Sequence, residues 1–71
     1  MSATWSGAEV VRGLTRKGFE FVSQKGSHVK LRDGAGHTVI VPMHAELRIG
    51  TLHSILRQAG ISREELAELI G

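Results

Sequence analysis

The stretch His28-Val29-Lys30-Leu31-Arg32-Asp33-Gly34-Ala35-Gly36-His37-Thr38-Val39-Ile40-Val41 decides the fold. Polar and apolar residues alternate from His28 to Arg32, which is the period of a half-buried strand. His37–Val41 reads as a second strand, stopped by Pro42. Between them Asp33-Gly34-Ala35-Gly36 makes a tight turn in which Gly36 is free to take positive φ. That loop pairs Asp33 with His37, Leu31 with Val39 and Val29 with Val41. Val29, Leu31, Val39 and Val41 then share one face, and His28, Lys30, Arg32, Thr38 and Ile40 share the other. A slip of one residue would mix valines with Lys30 and Arg32, so burial opposes it.

Working toward the N-terminus, Gly26-Ser27 supplies another turn, and Phe19–Lys25 alternates before it as a third strand. Phe19 and Phe21 fall on one side of that strand, and both are expected in the core. Ser6-Gly7-Ala8-Glu9 has the pattern of a capping box, with Trp5 and Val10 placed as a hydrophobic staple. A helix is expected from about residue 7 to 17, ended by Gly18. Toward the C-terminus, Leu52, Ile55, Leu56 and Ala59 recur at helical spacing, with Gly50-Thr51 opening the helix and Gly60 ending it. Ser62-Arg63-Glu64-Glu65 reads as a second capping box that starts a short last helix with Leu66, Leu69 and Ile70 on its apolar side. Glu64, Glu65 and Glu68 are expected on a solvated face. The order is helix, three antiparallel strands, helix, short helix: an α+β fold with helices on one sheet face and water on the other.

Size and composition narrow the function. A chain of 71 residues fits one domain, taken as residues 1–71. The absence of cysteine excludes disulfides, thiolate zinc sites and cysteine nucleophiles. No apolar run is long enough for a membrane span, and Met1–Gly7 is too short and polar for a signal peptide, so a cytoplasmic protein is expected. The net charge of +2 conceals an asymmetry, because the acidic residues Glu64, Glu65 and Glu68 gather near the C-terminus and leave a basic body. Such a body suits a polyanionic partner. Phosphate loops, dinucleotide fingerprints, paired zinc-ligand histidines and nucleophile elbows are absent from the sequence.

The chemistry therefore rests on histidines, scattered bases and hydroxyls. In Lys25-Gly26-Ser27-His28 a small turn lets a ligand approach the backbone, and a histidine at its exit is a residue type suited to proton transfer. Lys25, Lys30 and Arg32 surround it with cations suited to phosphate oxygens. A histidine beside such a cluster meets the needs of RNA backbone cleavage: proton transfer at the 2′-OH and at the leaving 5′-oxygen, with cations to stabilise the phosphorane. His44 and Thr51 are secondary candidates for substrate contact, Thr51 by the free amides of a helix start. His37 and His53 read as solvated polar residues. No cofactor or metal is expected, since no two histidines share a short ligand spacing. The same residues also suit a domain that holds RNA without cutting it, or one that docks an acidic protein.

Three segments carry a resemblance: Gly18–His28, Val39-Ile40-Val41-Pro42-Met43-His44, and Gly50–Ser62 with Gly50-Thr51-Leu52-His53-Ser54 at its start. In this order they resemble the HicA toxin family, over roughly Ser6 to Leu66. The resemblance implies a fold like a double-stranded-RNA-binding domain and an mRNA interferase activity, a small metal-independent endoribonuclease of a toxin–antitoxin system. It implies that His28, in the Gly-Ser-His motif, is catalytic. It also implies inhibition by a HicB-like antitoxin that covers the active site. The free toxin is expected to be monomeric. His53 departs from the Arg or Lys common in relatives, and Ala45–Ile49 lacks the lysines expected there.

Overall fold

A computed structural model describes residues 4–71. Met1–Ala3, part of the segment judged too short for a signal peptide, lie outside the described residues. The elements are α1 (Gly7–Lys17), β1 (Glu20–Lys25), β2 (His28–Arg32), β3 (Thr38–Pro42), α2 (Ile49–Ala59) and α3 (Arg63–Ile70). The strands form one antiparallel sheet in the order β1-β2-β3. This is the α+β arrangement expected of a fold like the double-stranded-RNA-binding domain.

The register is the one burial demands: Leu31 pairs with Val39 and Val29 with Val41. All four are at most 4% exposed and meet Val10 and Leu14 of α1, Leu52 and Ile55 of α2, and Leu66 and Ile70 of α3 in one core. Burying a side chain of this size contributes about 1.5–3 kcal/mol. The opposite face carries His28, Lys30, Arg32, Thr38 and Ile40, none of them buried.

Local signals set the helix ends. The Ser6 hydroxyl accepts from the Glu9 amide at 3.0 Å and the Glu9 carboxylate accepts from the Ser6 amide at 2.8 Å, a complete capping box. At the other end of α1, Gly18 adopts φ 121°. The Phe19 amide there donates to the Leu14 carbonyl at 2.9 Å and the Gly18 amide to the Thr15 carbonyl at 3.1 Å. This Schellman geometry folds Phe19 back into the core beside Leu14. The start of α2 is one residue ahead of Gly50, because the Arg48 carbonyl already accepts from the Leu52 amide at 2.9 Å. The second capping box is only half made. Ser62 accepts from the Glu65 amide at 3.0 Å, but the Glu65 carboxylate turns away to pair with Lys17 of α1.

That pair corrects the view of the acidic residues as a uniformly solvated face. Glu65 is half-buried at the α1–α3 contact. Arg16 joins it, donating from Nη1 to the Leu69 and Ile70 carbonyls at 2.8 and 3.2 Å and so capping the end of α3. Gly13 lets the two helices approach, since a Cβ at this position would lie 2.9 Å from Ile70 Cγ1 and 3.2 Å from Leu66 Cδ1.

The aromatic assignment is half right. Phe19 is 1% exposed, whereas Phe21 is 62% exposed. Phe21 pairs with Leu31 and so lies on the helix side of the sheet. The helices, however, pack over β3 at the far edge and leave β1 uncovered. A bulge at Val22, between Phe21 and Ser23, further turns this strand.

The two sheet edges are finished differently. Asp33 donates to the His37 carbonyl and Met43 to the Ser27 carbonyl, so the odd-numbered residues of β2 bond to β3. Ile40 of β3 therefore points its amide outward, where Gln58 Oε1 of α2 accepts it at 3.0 Å. Pro42 offers no donor at all. The β3 edge is closed and the β1 edge is open.

Of the glycines, Gly7 has the least room for a side chain. A Cβ there would lie 2.2 Å from the Pro42 carbonyl oxygen and 2.9 Å from Met43 Cα. Gly7→Ala is expected to cost about 2 kcal/mol or more, as overpacking against unyielding backbone does. Gly34→Ala, with nothing within 4 Å of the added methyl, should be near neutral. Thermal unfolding of the two variants compares them directly, and equal midpoints would disprove the steric account.

Candidate nucleic-acid interface

The site is built at the β1–β2 turn. Gly26 adopts φ 59°, which lets two residues reverse the chain. The Gln24 side-chain amide donates to the Gly26 carbonyl at 3.0 Å and braces the turn. Lys25 and His28 emerge directly opposite each other at its base. His28 is exposed, and with its neighbour Val29 buried its side chain lies on the open face with Lys30 and Arg32. Along β2 these three residues alternate at about 6.6 Å, twice the rise per residue of a strand. Lys25, Gly26, Ser27, His28, Lys30 and Arg32 thus occupy one continuous surface. Arg32 is steadied by a bond from Nε to Thr38 Oγ1 at 3.3 Å.

The loop carrying His44 is tied to this turn. The Ser27 carbonyl accepts from the Met43 amide at 2.6 Å, and the His44 carbonyl accepts from the Gly7 amide at 2.9 Å. Farther on, the Leu47 amide donates to the Trp5 carbonyl at 2.9 Å and Leu47 itself is buried. These anchors hold His44 next in sequence to a residue bonded to Ser27, with its side chain exposed. Thr51 sits apart, half-buried in the first turn of α2. The amides of that turn receive no side-chain cap from Arg48.

His37 is not the simple solvated residue expected. Its Nδ1 lies 2.7 Å from Asp33 Oδ2, and its ring packs over Gly60 at the end of α2. Asp33 Oδ1 accepts from the Ala35 and His37 amides at 3.1 and 2.7 Å, organising the β2–β3 turn. The spacing Asp33…His37 across a Gly-rich turn is the signal that could have suggested this pairing. His53 is exposed and borders a shallow cleft of about 510 Å³ with Leu56, Arg57, Gly60 and Ile61. A second cleft of about 500 Å³ lies at the Glu20–Arg32 end of the β1–β2 ladder, beside the exposed Phe21. Among the described residues, no three His, Asp or Glu side chains gather as a metal site would require. Among them, too, no helix is long and apolar enough to cross a membrane.

A helix-backed sheet with one basic open face and a histidine at a glycine turn defines a small α+β protein whose fold is like that of the double-stranded-RNA-binding domain. The profile described as the HicA toxin of bacterial toxin–antitoxin systems matches residues 7–61. The chain belongs to the HicA toxin family. Membership supports a toxin role and implies a cognate antitoxin. No curated protein matches the chain.

The Asp33 carboxyl feels two opposed influences. Desolvation pushes it up, and the hydrogen bonds and charge of His37, with the Ala35 amide, outweigh this and hold it below its ordinary 3.8. A carboxyl lowered in the folded state stabilises fully above its unfolded value and loses that contribution as pH falls through the lower folded value. Wild type should therefore melt above Asp33→Asn at neutral pH, with the gap shrinking once pH drops below 3.8. A gap that persists unchanged into strong acid would rule out this origin.

Proposed function

We propose that this HicA family member is a metal-independent endoribonuclease acting on mRNA, with residues 1–71 working as one catalytic unit and His28 as the proton-transfer group. The observation that carries this reading is the placement of His28: exposed at the turn, opposite Lys25, on the same face as Lys30 and Arg32. In the reaction, a base removes the 2′-OH proton and the 2′-oxygen attacks the adjacent phosphorus. The bond to the 5′-oxygen breaks, and an acid protonates that oxygen as it leaves. The products are a 2′,3′-cyclic phosphate and a free 5′-hydroxyl, so no water is consumed in this step. Lys25 and Lys30 supply positive charge where the phosphorane gathers negative charge. The Gly26-Ser27 turn lets the RNA backbone come close, and Arg32 extends the basic track. His44 is a secondary contact through its anchored loop, and Thr51 through the uncapped start of α2.

The cognate antitoxin is proposed to be HicB-like and to act by covering this face. The toxin is proposed to be monomeric when free and cytoplasmic, and to need no cofactor.

The test uses purified protein, labelled single-stranded RNA and EDTA, with a 2′-deoxy strand and His28→Ala as controls. RNA alone should be cut, and His28→Ala should slow cleavage by about 10²–10⁴-fold without lowering the melting temperature, because the side chain is exposed. Intact RNA in every lane, with folded protein that still binds RNA, would make this an RNA-holding module instead.

Lys30→Ala provides an independent check of the basic track. The plot of log affinity against log salt should become shallower by about one ion. An unchanged slope would remove Lys30 from the RNA contact.

A further inference from the structure

The outer edge of β1 is open, whereas Gln58 and Pro42 finish the outer edge of β3. Its free backbone groups can be placed. The odd-numbered residues of β2 bond to β3, so the even-numbered ones bond to β1. Phe21 and Gln24 stand opposite Leu31 and Val29, two odd-numbered residues. Their amides and carbonyls therefore point away from β2, out of the sheet. Three residues apart, they would be out of phase in a regular strand, and the bulge at Val22 brings them into phase. The same bulge sets the side chains. Glu20 and Lys25 stand opposite Arg32 and His28 and share the open face, while Phe21 and Gln24 lie on the helix side. Glu20 and Lys25 are both exposed, and among the described residues neither has an ion-pair partner.

We propose that this edge pairs with the same edge of a second copy of the chain, antiparallel about a twofold axis between Val22 and Ser23. In that register Phe21 stands opposite Gln24 of the second copy, and the outward groups of the two exchange hydrogen bonds. At either end Glu20 stands opposite Lys25 of the second copy on the same face, so an acid meets a base twice. The bulge selects a second copy as the occupant. It kinks the edge against an ordinary straight strand, but the twofold lays bulge against bulge. The Phe21 rings, 62% exposed because no helix packs over β1, become diagonal neighbours across the seam, within reach of each other. The helical layer stops short of β1, so a second copy comes alongside without meeting a helix. An edge of six residues buries far less than the roughly 800 Å² per partner of a stable interface. The pair therefore forms only toward millimolar protein, and the dilute toxin is a monomer. Pairing also bears on the RNA site, because the second copy's Glu20 lies beside Lys25. On the ribonuclease reading above, pairing and polyanion binding oppose each other, each weakening the other by the same factor.

A dilution series of the full chain, followed by NMR, tests the pairing without RNA. Raising the concentration toward the millimolar range should shift the Phe21 and Gln24 amides and leave those of Val29 and Leu31, bonded inside the sheet, unchanged. Silence at β1, or concentration-dependent shifts confined to another surface, would overturn the proposal. Shifts at β1 that appear only on adding the cognate antitoxin would give the edge to that protein instead. Glu20→Lys and Lys25→Glu each set like charges against each other at both ends, and each alone should pair on the order of tenfold more weakly. An equal mixture of the two variants restores opposite charges at both ends and should recover wild-type pairing. A mixture that pairs no better than its components would rule out this register. Adding a 2′-deoxy strand, which cannot be cleaved, should reverse the β1 shifts while moving the His28 and Lys30 amides. Failure of that strand to bind would count against the RNA reading and leave the pairing standing. A strand that binds and leaves the pair intact would overturn the opposition between them.

Discussion

The fold depends on the approach of one glycine to one carbonyl. Gly7 begins α1 directly against Pro42 and Met43, where no side chain fits, and its amide bonds to the His44 carbonyl. That contact joins the first helix to the end of the last strand. It also holds the loop after β3, and the Met43 bond to Ser27 carries the constraint on to the turn that presents His28. A side chain at position 7 would push these pieces apart, so the packing of α1 and the placement of the histidine are coupled through backbone. Backbone contacts of this kind have little give, because neither partner has a rotamer to change.

The open face follows from where the helices go. α1 and α2 pack over β3, and α3 packs on α1, so the helical layer covers one side of the sheet and stops short of β1. The polar side keeps its charges in water, where ion pairing costs and gains are small. Cations there remain available to a polyanion instead of being consumed by internal salt bridges. Arg16 and Lys17, by contrast, lie on α1 and fasten α3. The protein therefore divides its positive charge between assembly on one side and an exposed surface on the other.

The unequal edges have a similar logic. Gln58 and Pro42 blunt β3, which leaves β1, with its bulge at Val22, as the strand that faces solvent on its outer side. An exposed aromatic on that strand is a departure from simple burial, and such departures concentrate where a protein meets a partner.

Much of this was readable in the residues. The alternation in 28–41 dictated the register, because only one pairing buries Val29, Leu31, Val39 and Val41 together. Ser6 with Glu9, and Gly18, marked both ends of α1 through interactions a few residues apart. The Lys25–His28 turn and its neighbouring cations were legible for the same reason, since strand alternation places His28, Lys30 and Arg32 on one face. Tertiary structure alone decided the rest. Phe21 has the pattern of a core residue, and only the reach of the helices leaves it exposed. Glu65 had a local partner in the Ser62 amide, and a lysine 48 positions earlier in the chain took it. Gly7 and Gly13 look like ordinary helix glycines until Pro42 and Ile70 arrive beside them. Periodicity and capping are short-range and repeat along the chain, so sequence records them. Which helix covers which strand is a property of the packed whole.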